Sequence, residues 1–340
     1  MRVLLDARMD IGGVGRYGST LRAGLRDLPD GPEVVVIDRL PAGPRRLAAA
    51  PYTPWGRALV ARSARVSAAD IVHNLSFEAP PVPVPLVVAV HDVIPIEHPA
   101  SMPSPLRRAE FRRVVATTLR RADAVIVPSE RTAAAIRNVV GVPGCRLAVV
   151  PYAVDPVFRP ATDAERATAR RRFAGGRRYV AAVTTARAHK NLDGVLALGR
   201  ALAGRGDVEV VVRGPSVTAS APALVVGPLR DEDLRMLYAG ADVALVCSHV
   251  EGYGLPAVEA AACGTPVVCG PGIGALSVLA GAATVADVGD PASVAGAIAC
   301  LLDDQRAAAA SRAAGLAAAA RLTPAVMAAA TVEVYREVLT

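Results

Sequence analysis

The sequence predicts an α/β protein of two parallel-sheet domains in series, and three observations carry that expectation. Short β-branched runs alternate with helical stretches along almost the whole chain, the runs are apolar throughout, and a proline-marked break divides them into two sets. A strand of alternating polarity leaves one face to water. A uniformly apolar one is covered on both sides, as helices between parallel strands cover it. With 340 residues, 52% of them hydrophobic, the chain can fill about two domains of roughly 150 residues.

The first set of strands reads RVLLDA, EVVVID, DIVHNL, PLVVAVHD, AVIVPS and RLAVVPY; the second reads YVAAVTT, VEVVVRG, ALVVGPL, VALVCS, PVVCG and AATVAD. The break falls at 155–162 (DPVFRPAT), where two prolines follow the last strand of the first set and a charged helix over 163–173 opens the next. The expected domains are therefore 1–158 and 159–323. The alanine-rich stretch 307–321 reads as a helix, because alanine is the best helix former and spaced arginines keep one face wet. Pro324 restarts a last helix, and the segment 324–340 is expected to cross back to the first domain. Open parallel sheets bind ligands at the carboxyl ends of their strands, so two such sheets facing each other make a cleft.

Composition narrows the partners. A formal charge of +7 suits an anionic ligand, a nucleic acid or a membrane surface, but 4% aromatics are too few for base-stacking platforms, which argues against nucleic acid. The densest basic stretch, 106–121 (LRRAEFRRVVATTLRR), repeats arginine pairs between apolar residues; it reads as a solvated helix face or a contact for an anionic acceptor or lipid. No apolar run reaches the ~18 residues of a membrane span, and Asp6 and Asp10 interrupt the N-terminus where a signal peptide has its apolar core. The expected location is the cytoplasm, with peripheral contact at the inner face of the membrane left open. The five cysteines (Cys145, Cys247, Cys263, Cys269, Cys300) are odd in number, lack a C-x-x-C pair and sit among apolar neighbours, so they read as small core residues.

The most informative segment is 248–270, SHVEGYGLPAVEAAACGTPVVCG. A buried strand is followed by the turn Glu251-Gly252-Tyr253-Gly254 and by a helix that starts near Pro256, a favoured first helical position. Free N–H groups and the dipole of that helix suit an anion. Glu259 lies about one turn into the helix, and Gly264 suits its end.

The pattern E-G-[FY]-G-L-P-x-x-E followed by A-x-G-x-P-V resembles the donor site of the glycosyltransferase group 1 family, retaining enzymes of the GT-B fold, in which two Rossmann-like domains face each other across a cleft. The resemblance extends over GGVGRYG after the first strand, VHDVIP at 90–95, VPSE at 127–130, VVPYAVDPVFRP at 149–160, HKNL at 189–192 and GPLRDEDLRMLYAGAD at 227–242. It implies that the N-terminal domain takes the acceptor and the C-terminal domain the nucleotide-sugar donor. It further implies that Glu259 binds the ribose hydroxyls, Glu251 the donor sugar, and Lys190 the diphosphate. Gly252 and the amides of Tyr253, Gly254 and Leu255 meet sugar and phosphate, the loop Gly13, Val14 and Gly15 meets the donor phosphate from across the cleft, and His91 lies beside the reacting sugar. One departure stands out. Many relatives carry an arginine immediately before the lysine, where this chain has TTARAHKN; Arg187 either replaces that guanidinium or is an exposed loop charge.

Charge development supports these roles independently. A departing nucleoside diphosphate gains negative charge in the transition state, and a fixed lysine with a helix dipole and amides stabilises it without metal or cofactor. The string Asp231-Glu232-Asp233 elsewhere can hold a metal, but here it opens a helix and Asp231 reads as its N-cap. His91, at the carboxyl end of PLVVAV, reads as functional; His73, His98 and His249 read as bonding their neighbours.

The rival readings are an NAD-dependent oxidoreductase using Gly13, Gly15 and Gly18 with Asp38 on the ribose, a sugar-nucleotide epimerase or a phosphorylase of the same fold, and a sugar-nucleotide binding protein without activity. Against the oxidoreductase, Arg8 to Ile11 separate strand and glycines, whereas a dinucleotide turn follows its strand at once. No carboxylate is an obvious nucleophile, which favours front-face departure and attack with retention. The GGVGRY and HDVIP variants look like the branch that takes GDP-linked, mannose-like donors. Base selection falls to the loops 214–220 and 227–230, and acceptor choice to 42–55 and 74–83. The acceptor and the oligomeric state are not legible.

Overall fold

A computed structural model of the chain describes every residue except 10, 39–49, 51, 142–143 and 215–222. The chain divides into two compact units, Met1–Ala153 with Leu322–Thr340, and Val154–Arg321.

The first unit is built on six parallel strands, β1 (Arg2–Asp6), β2 (Glu33–Ile37), β3 (Ile71–Asn74), β4 (Leu86–Ala89), β5 (Ala124–Val127) and β6 (Arg146–Val149), in the order β2-β1-β3-β4-β5-β6. All twelve apolar runs of the sequence become strands; β3, β4 and β5 are buried at every residue, whereas the outer strands β2 and β6 are only partly buried. Helix α1 (Gly12–Asp27) follows β1, α2 (Pro54–Val66) precedes β3, α3 (Pro105–Arg121) precedes β5, and α4 (Glu130–Val140) precedes β6. Thr53, Ser104 and Ser129 cap the last three through their side-chain oxygens, and proline opens α2 and α3, where its missing N–H costs nothing. Alternate strand residues Leu4, Val72, Val88 and Val125 meet Val60, Val115 and Ile136 from α2, α3 and α4 in one core.

The second unit carries β7 (Arg178–Val183), β8 (Val208–Arg213), β9 (Leu224–Val226), β10 (Val243–Val246), β11 (Val267–Cys269) and β12 (Ala283–Val285), all parallel, in the order β12-β11-β10-β7-β8-β9. Its helices are α5 (Asp163–Ala174), α6 (Leu192–Leu202), α7 (Asp231–Gly240), α8 (Leu255–Ala262), α9 (Pro291–Asp303) and α10 (Gln305–Ala319). α5 opens with a reciprocal capping box between Thr162 and Glu165 and ends on Gly175 in the left-handed region. The last helix, α11 (Pro324–Leu339), belongs to the first unit and packs on α1, at a site so close that a Cβ on Gly24 would run into the Pro324 carbonyl.

Each sheet reverses its strand order once, between β1 and β3 in the first unit and between β7 and β10 in the second. At such a point the following loops diverge to opposite faces and leave a crevice outside the strand ends.

The cysteines do not all lie in the core. Cys247, Cys263 and Cys269 are buried, Cys145 is half-buried, and Cys300 is exposed because it falls on the outer face of the amphipathic α9, whose buried stripe is Val294, Ile298, Leu301 and Leu302. No single helix among the described residues is long and apolar enough to cross a membrane.

Candidate active site

The second unit's switch point is where the chemistry gathers. β7 ends at Val183, and the buried Thr184 donates its hydroxyl to the Lys190 carbonyl at 3.0 Å, folding the loop back on itself. A single 3-10 turn, Ala188–Lys190, closes with the Lys190 amide on the Arg187 carbonyl at 2.9 Å. Asn191 leaves it in the left-handed region (φ 49°), caps α6 through the Gly194 amide and donates its side-chain N–H to the Val288 carbonyl at 2.8 Å. Lys190 is thus held at both backbone ends.

From β10 the chain passes through Cys247 and Ser248. The His249 amide donates to the His189 carbonyl at 2.8 Å, which ties the loops after β7 and β10 together. Lys190 Nζ then lies 2.5 Å from Glu251 Oε1, and Ser248 Oγ donates to the same oxygen at 2.7 Å. The lysine and glutamate side chains are 20% and 11% exposed, so the pair sits in a recess, little screened by water. Glu251 is itself held by a parallel bridge to Ile273.

After Glu251 the chain must turn sharply into α8. Gly254 does so at φ 103°, where a Cβ would stand 2.5 Å from Ile273 Cγ2; no residue with a side chain fits without strain. Leu255 begins the helix, Pro256 needs no partner for an N–H it lacks, and the Leu255 amide has no acceptor four residues back inside the helix. Tyr253 is buried, its carbonyl accepts from the Ala275 amide at 2.7 Å, and burial pushes its phenol well above the ordinary range. Glu259, eight residues after Glu251 and in the second turn of α8, is 1% exposed on a helix buried on nearly every side.

The structure therefore brings together Lys190, Glu251 and the Gly252–Leu255 turn. It leaves the Arg187 side chain exposed, with the Arg187 backbone serving the 3-10 turn. Two partners that sequence reasoning missed complete the cluster: Ser248, whose signal was its place three residues before Glu251, and Thr184, the first residue after the strand.

The remaining expected residues lie in the first unit, and several readings need correction. GGVGRYG is not a loop: α1 already begins at Gly12, because Ile11 serves as N-cap in extended conformation. Gly13 and Val14 fall in the first turn, whose N–H groups point out of the helix, but the Gly15 amide is engaged by the Ile11 carbonyl at 3.2 Å. Gly18 is buried mid-helix and Asp38 is paired to Arg22 at 2.7 Å, so the G-x-G-x-x-G string forms no dinucleotide turn. Asp231 is not an N-cap either. Arg230 holds that position without a side-chain bond, and Asp231 is the first helical residue, where its charge suits the dipole. Glu232 and Asp233 are paired to Arg235 and Arg172 at 2.8 and 2.6 Å. Among the described residues no group of three His, Cys, Asp or Glu is placed to hold a metal ion.

His91 follows β4 and is buried. Its Nε2 faces the Leu75 carbonyl at 2.9 Å, which can only accept, so Nε2 carries the proton and Nδ1 accepts from the Tyr152 hydroxyl. Tyr17 and Phe77 pack edge-on against the ring, each 5.4 Å away between centroids. Desolvation pushes its pKa down to about 4, and the Leu75 bond only partly offsets this. Tyr152 is a further partner the sequence did not reveal. His73 does bond a neighbour, but a remote one in sequence, Tyr335 of α11, at 2.7 Å. At the carboxyl end of β1, beside the first unit's switch point, Arg8 and Asp6 form a buried bidentate pair at 2.7 and 2.6 Å.

Two family models match this chain. Residues 163–318 match glycosyl transferases group 1, and residues 11–158 match glycosyltransferase family 4. The chain belongs to this glycosyltransferase family. D-inositol 3-phosphate glycosyltransferases of Mycobacterium tuberculosis and Mycobacterium bovis are 33% identical over 208 residues, a match that covers 54% of this chain and 42% of theirs. The matched region therefore spans less than half of these curated relatives. Among solved structures, a sucrose-phosphate synthase from Thermosynechococcus elongatus superposes with a TM-score of 0.78 at 20% identity, covering 99% of this chain and 98% of that one. Anabaena HepE in complex with UDP and glucose gives 0.75 at 18% identity, covering 99% of this chain and 100% of that one. The fold of this family member is GT-B.

Proposed function

We propose that the chain transfers a sugar from a nucleoside-diphosphate sugar to an acceptor hydroxyl with retention at the anomeric carbon. The observation that carries this reading is the Lys190–Glu251–Ser248 cluster at the second unit's switch point, directly before the glycine turn and the N-terminus of α8. Lys190 leaves Glu251 for the donor diphosphate and stabilises the charge that grows on it as the bond to the sugar breaks. Glu251, held by Ser248, then accepts from sugar hydroxyls. The turn amides take the phosphate, Glu259 the ribose, and the outward amides of Gly13 and Val14 serve phosphate as well. The acceptor oxygen bonds the anomeric carbon on the face the diphosphate leaves, and its proton passes to the departing phosphate oxygen. His91, with both ring nitrogens engaged, shapes the pocket as a neutral group. The GGVGRY and HDVIP variants favour a GDP-linked, mannose-like donor.

A thermal-shift panel of nucleoside diphosphates tests the donor reading, since a ligand that binds only the native state raises its melting temperature. GDP should stabilise most, and GDP-mannose should be consumed with transfer. No shift with any nucleoside diphosphate would remove the donor site; a shift with UDP but not GDP would overturn only the choice of base. Free epimerised donor or sugar 1-phosphate as product would favour an epimerase or a phosphorylase.

A further inference from the structure

The chain's excess positive charge is not spread over its surface. Helices α2 and α3 together hold nine arginines and one glutamate, a formal charge of +8, where the whole chain carries +7; all other residues together sum to −1. Both helices pack on the same face of the first sheet, since Val60 and Ala64 of α2 and Val115 and Leu119 of α3 share one core. The segment between β3 and β4 lies against both: Glu78 is paired with Arg57 of α2, while Phe77 packs on Phe111 and takes the Thr118 hydroxyl of α3 on its carbonyl at 2.7 Å. Arg62 and Arg65 of α2 and Arg107, Arg112, Arg113, Arg120 and Arg121 of α3 point into solvent.

The acids on this face do not neutralise it. Glu78 is buried against Arg57, Glu97 is paired with Arg131 at 3.0 Å, and Asp123 holds the Leu86 amide, which leaves Glu110 exposed among the arginines of α3. Two large apolar side chains stand out beside this charge. Trp55, second in α2, is 73% exposed, and Leu106, second in α3, is 80% exposed. Helices over a parallel sheet run against its strands, so both lie at the carboxyl end of the sheet, the end of the first unit's switch point and of His91.

We propose that this face of the first unit docks on an anionic phospholipid surface, with the arginines on headgroups and Trp55 and Leu106 at the interface. Clustered arginines are attracted to anionic leaflets, and tryptophan prefers the boundary between headgroup and acyl chain. A polyanion such as duplex DNA would satisfy the charge, but it would leave Trp55 and Leu106 in water. The inference rests on the first unit alone and stands or falls separately from the donor reading.

Trp55 is the only tryptophan in the chain, so its emission reports on this surface directly. Phosphatidylcholine vesicles containing phosphatidylglycerol should sediment the full chain and blue-shift Trp55, whereas phosphatidylcholine alone should do neither, and salt should release the protein. Replacing Arg107, Arg112, Arg113, Arg120 and Arg121 together by glutamine should weaken vesicle binding at least tenfold at an unchanged melting temperature, and Leu106→Gln should weaken it in salt. Equal binding to both vesicles, binding without a shift of Trp55, wild-type binding by the five-arginine variant, or displacement by duplex DNA at equal charge would each overturn the proposal.

Discussion

Lys190 Nζ and Glu251 Oε1 lie 2.5 Å apart between the loops that leave β7 and β10, so the two side chains proposed for diphosphate and sugar are each other's partner. A ligand that separates them must supply an anion to the lysine and hydroxyls to the glutamate. A nucleoside-diphosphate sugar carries both.

Lys190→Ala should lower turnover by roughly 100-fold or more while donor affinity falls less, because the charge on the departing diphosphate is larger in the transition state than in the bound donor. Arginine should rescue in part, since its planar fork needs a different approach to phosphate. Transfer kinetics with a calorimetric donor titration separate the two effects; near-normal transfer by a folded Lys190→Ala would sink the assignment.

Glu259→Ala should weaken nucleoside diphosphate binding at least tenfold, the scale of about 1.5–3 kcal/mol for hydrogen bonds to a charged group. Because the side chain is buried, Glu259→Gln is the companion: it keeps the volume and should still bind more weakly. Unchanged affinity in both would remove this residue from the ribose.

Stability should fall as pH drops from about 6.5 towards 4. Burial holds His91 at about 4 in the folded chain, below the ordinary 6.5, so between these values the unfolded chain binds the proton and the folded one does not. The contribution is whole above about 6.5 and is lost as pH falls through 4. His73, pushed down to about 3, acts in the same direction. Urea unfolding at pH 7.5 and pH 5 checks this, and replacing His91 by glutamine should flatten the slope.

Transfer should persist in excess chelator, since Glu232 and Asp233 are engaged by Arg235 and Arg172, and Lys190 with helix-terminal amides carries the charge a divalent ion carries elsewhere. Activity lost in chelator and restored by Mg²⁺ or Mn²⁺ would reopen the metal reading of Asp231 and Asp233.

Local chemistry made much of this legible. The central strands β3, β4, β5 and β10 were readable because burial on both faces demands uninterrupted apolar runs, and the turn at Gly254 because only glycine accepts φ 103° there. Asp231 was misread because capping depends on which residue turns extended, a choice made by the chain before it, here at Arg230. Cys300 was misread because a helix has a wet side that its composition alone does not mark.

By itself, then, the sequence determined the two α/β sheets and the family-type motif around Glu251 and Glu259, which are periodic or contiguous signals; the roles proposed for Lys190, Glu251 and Glu259 rest on the family resemblance. Only the tertiary structure decided that Lys190 and Glu251 meet, that Ser248 holds the pair, that the Leu75 carbonyl fixes the proton of His91 on Nε2, and that the two arginine-rich helices pack on one face of the first sheet. Those partners lie as far as 61 residues apart in the chain. The encounter of Lys190 with Glu251 follows from strand order, in which β7 and β10 are neighbours across the reversal, rather than from any local pattern.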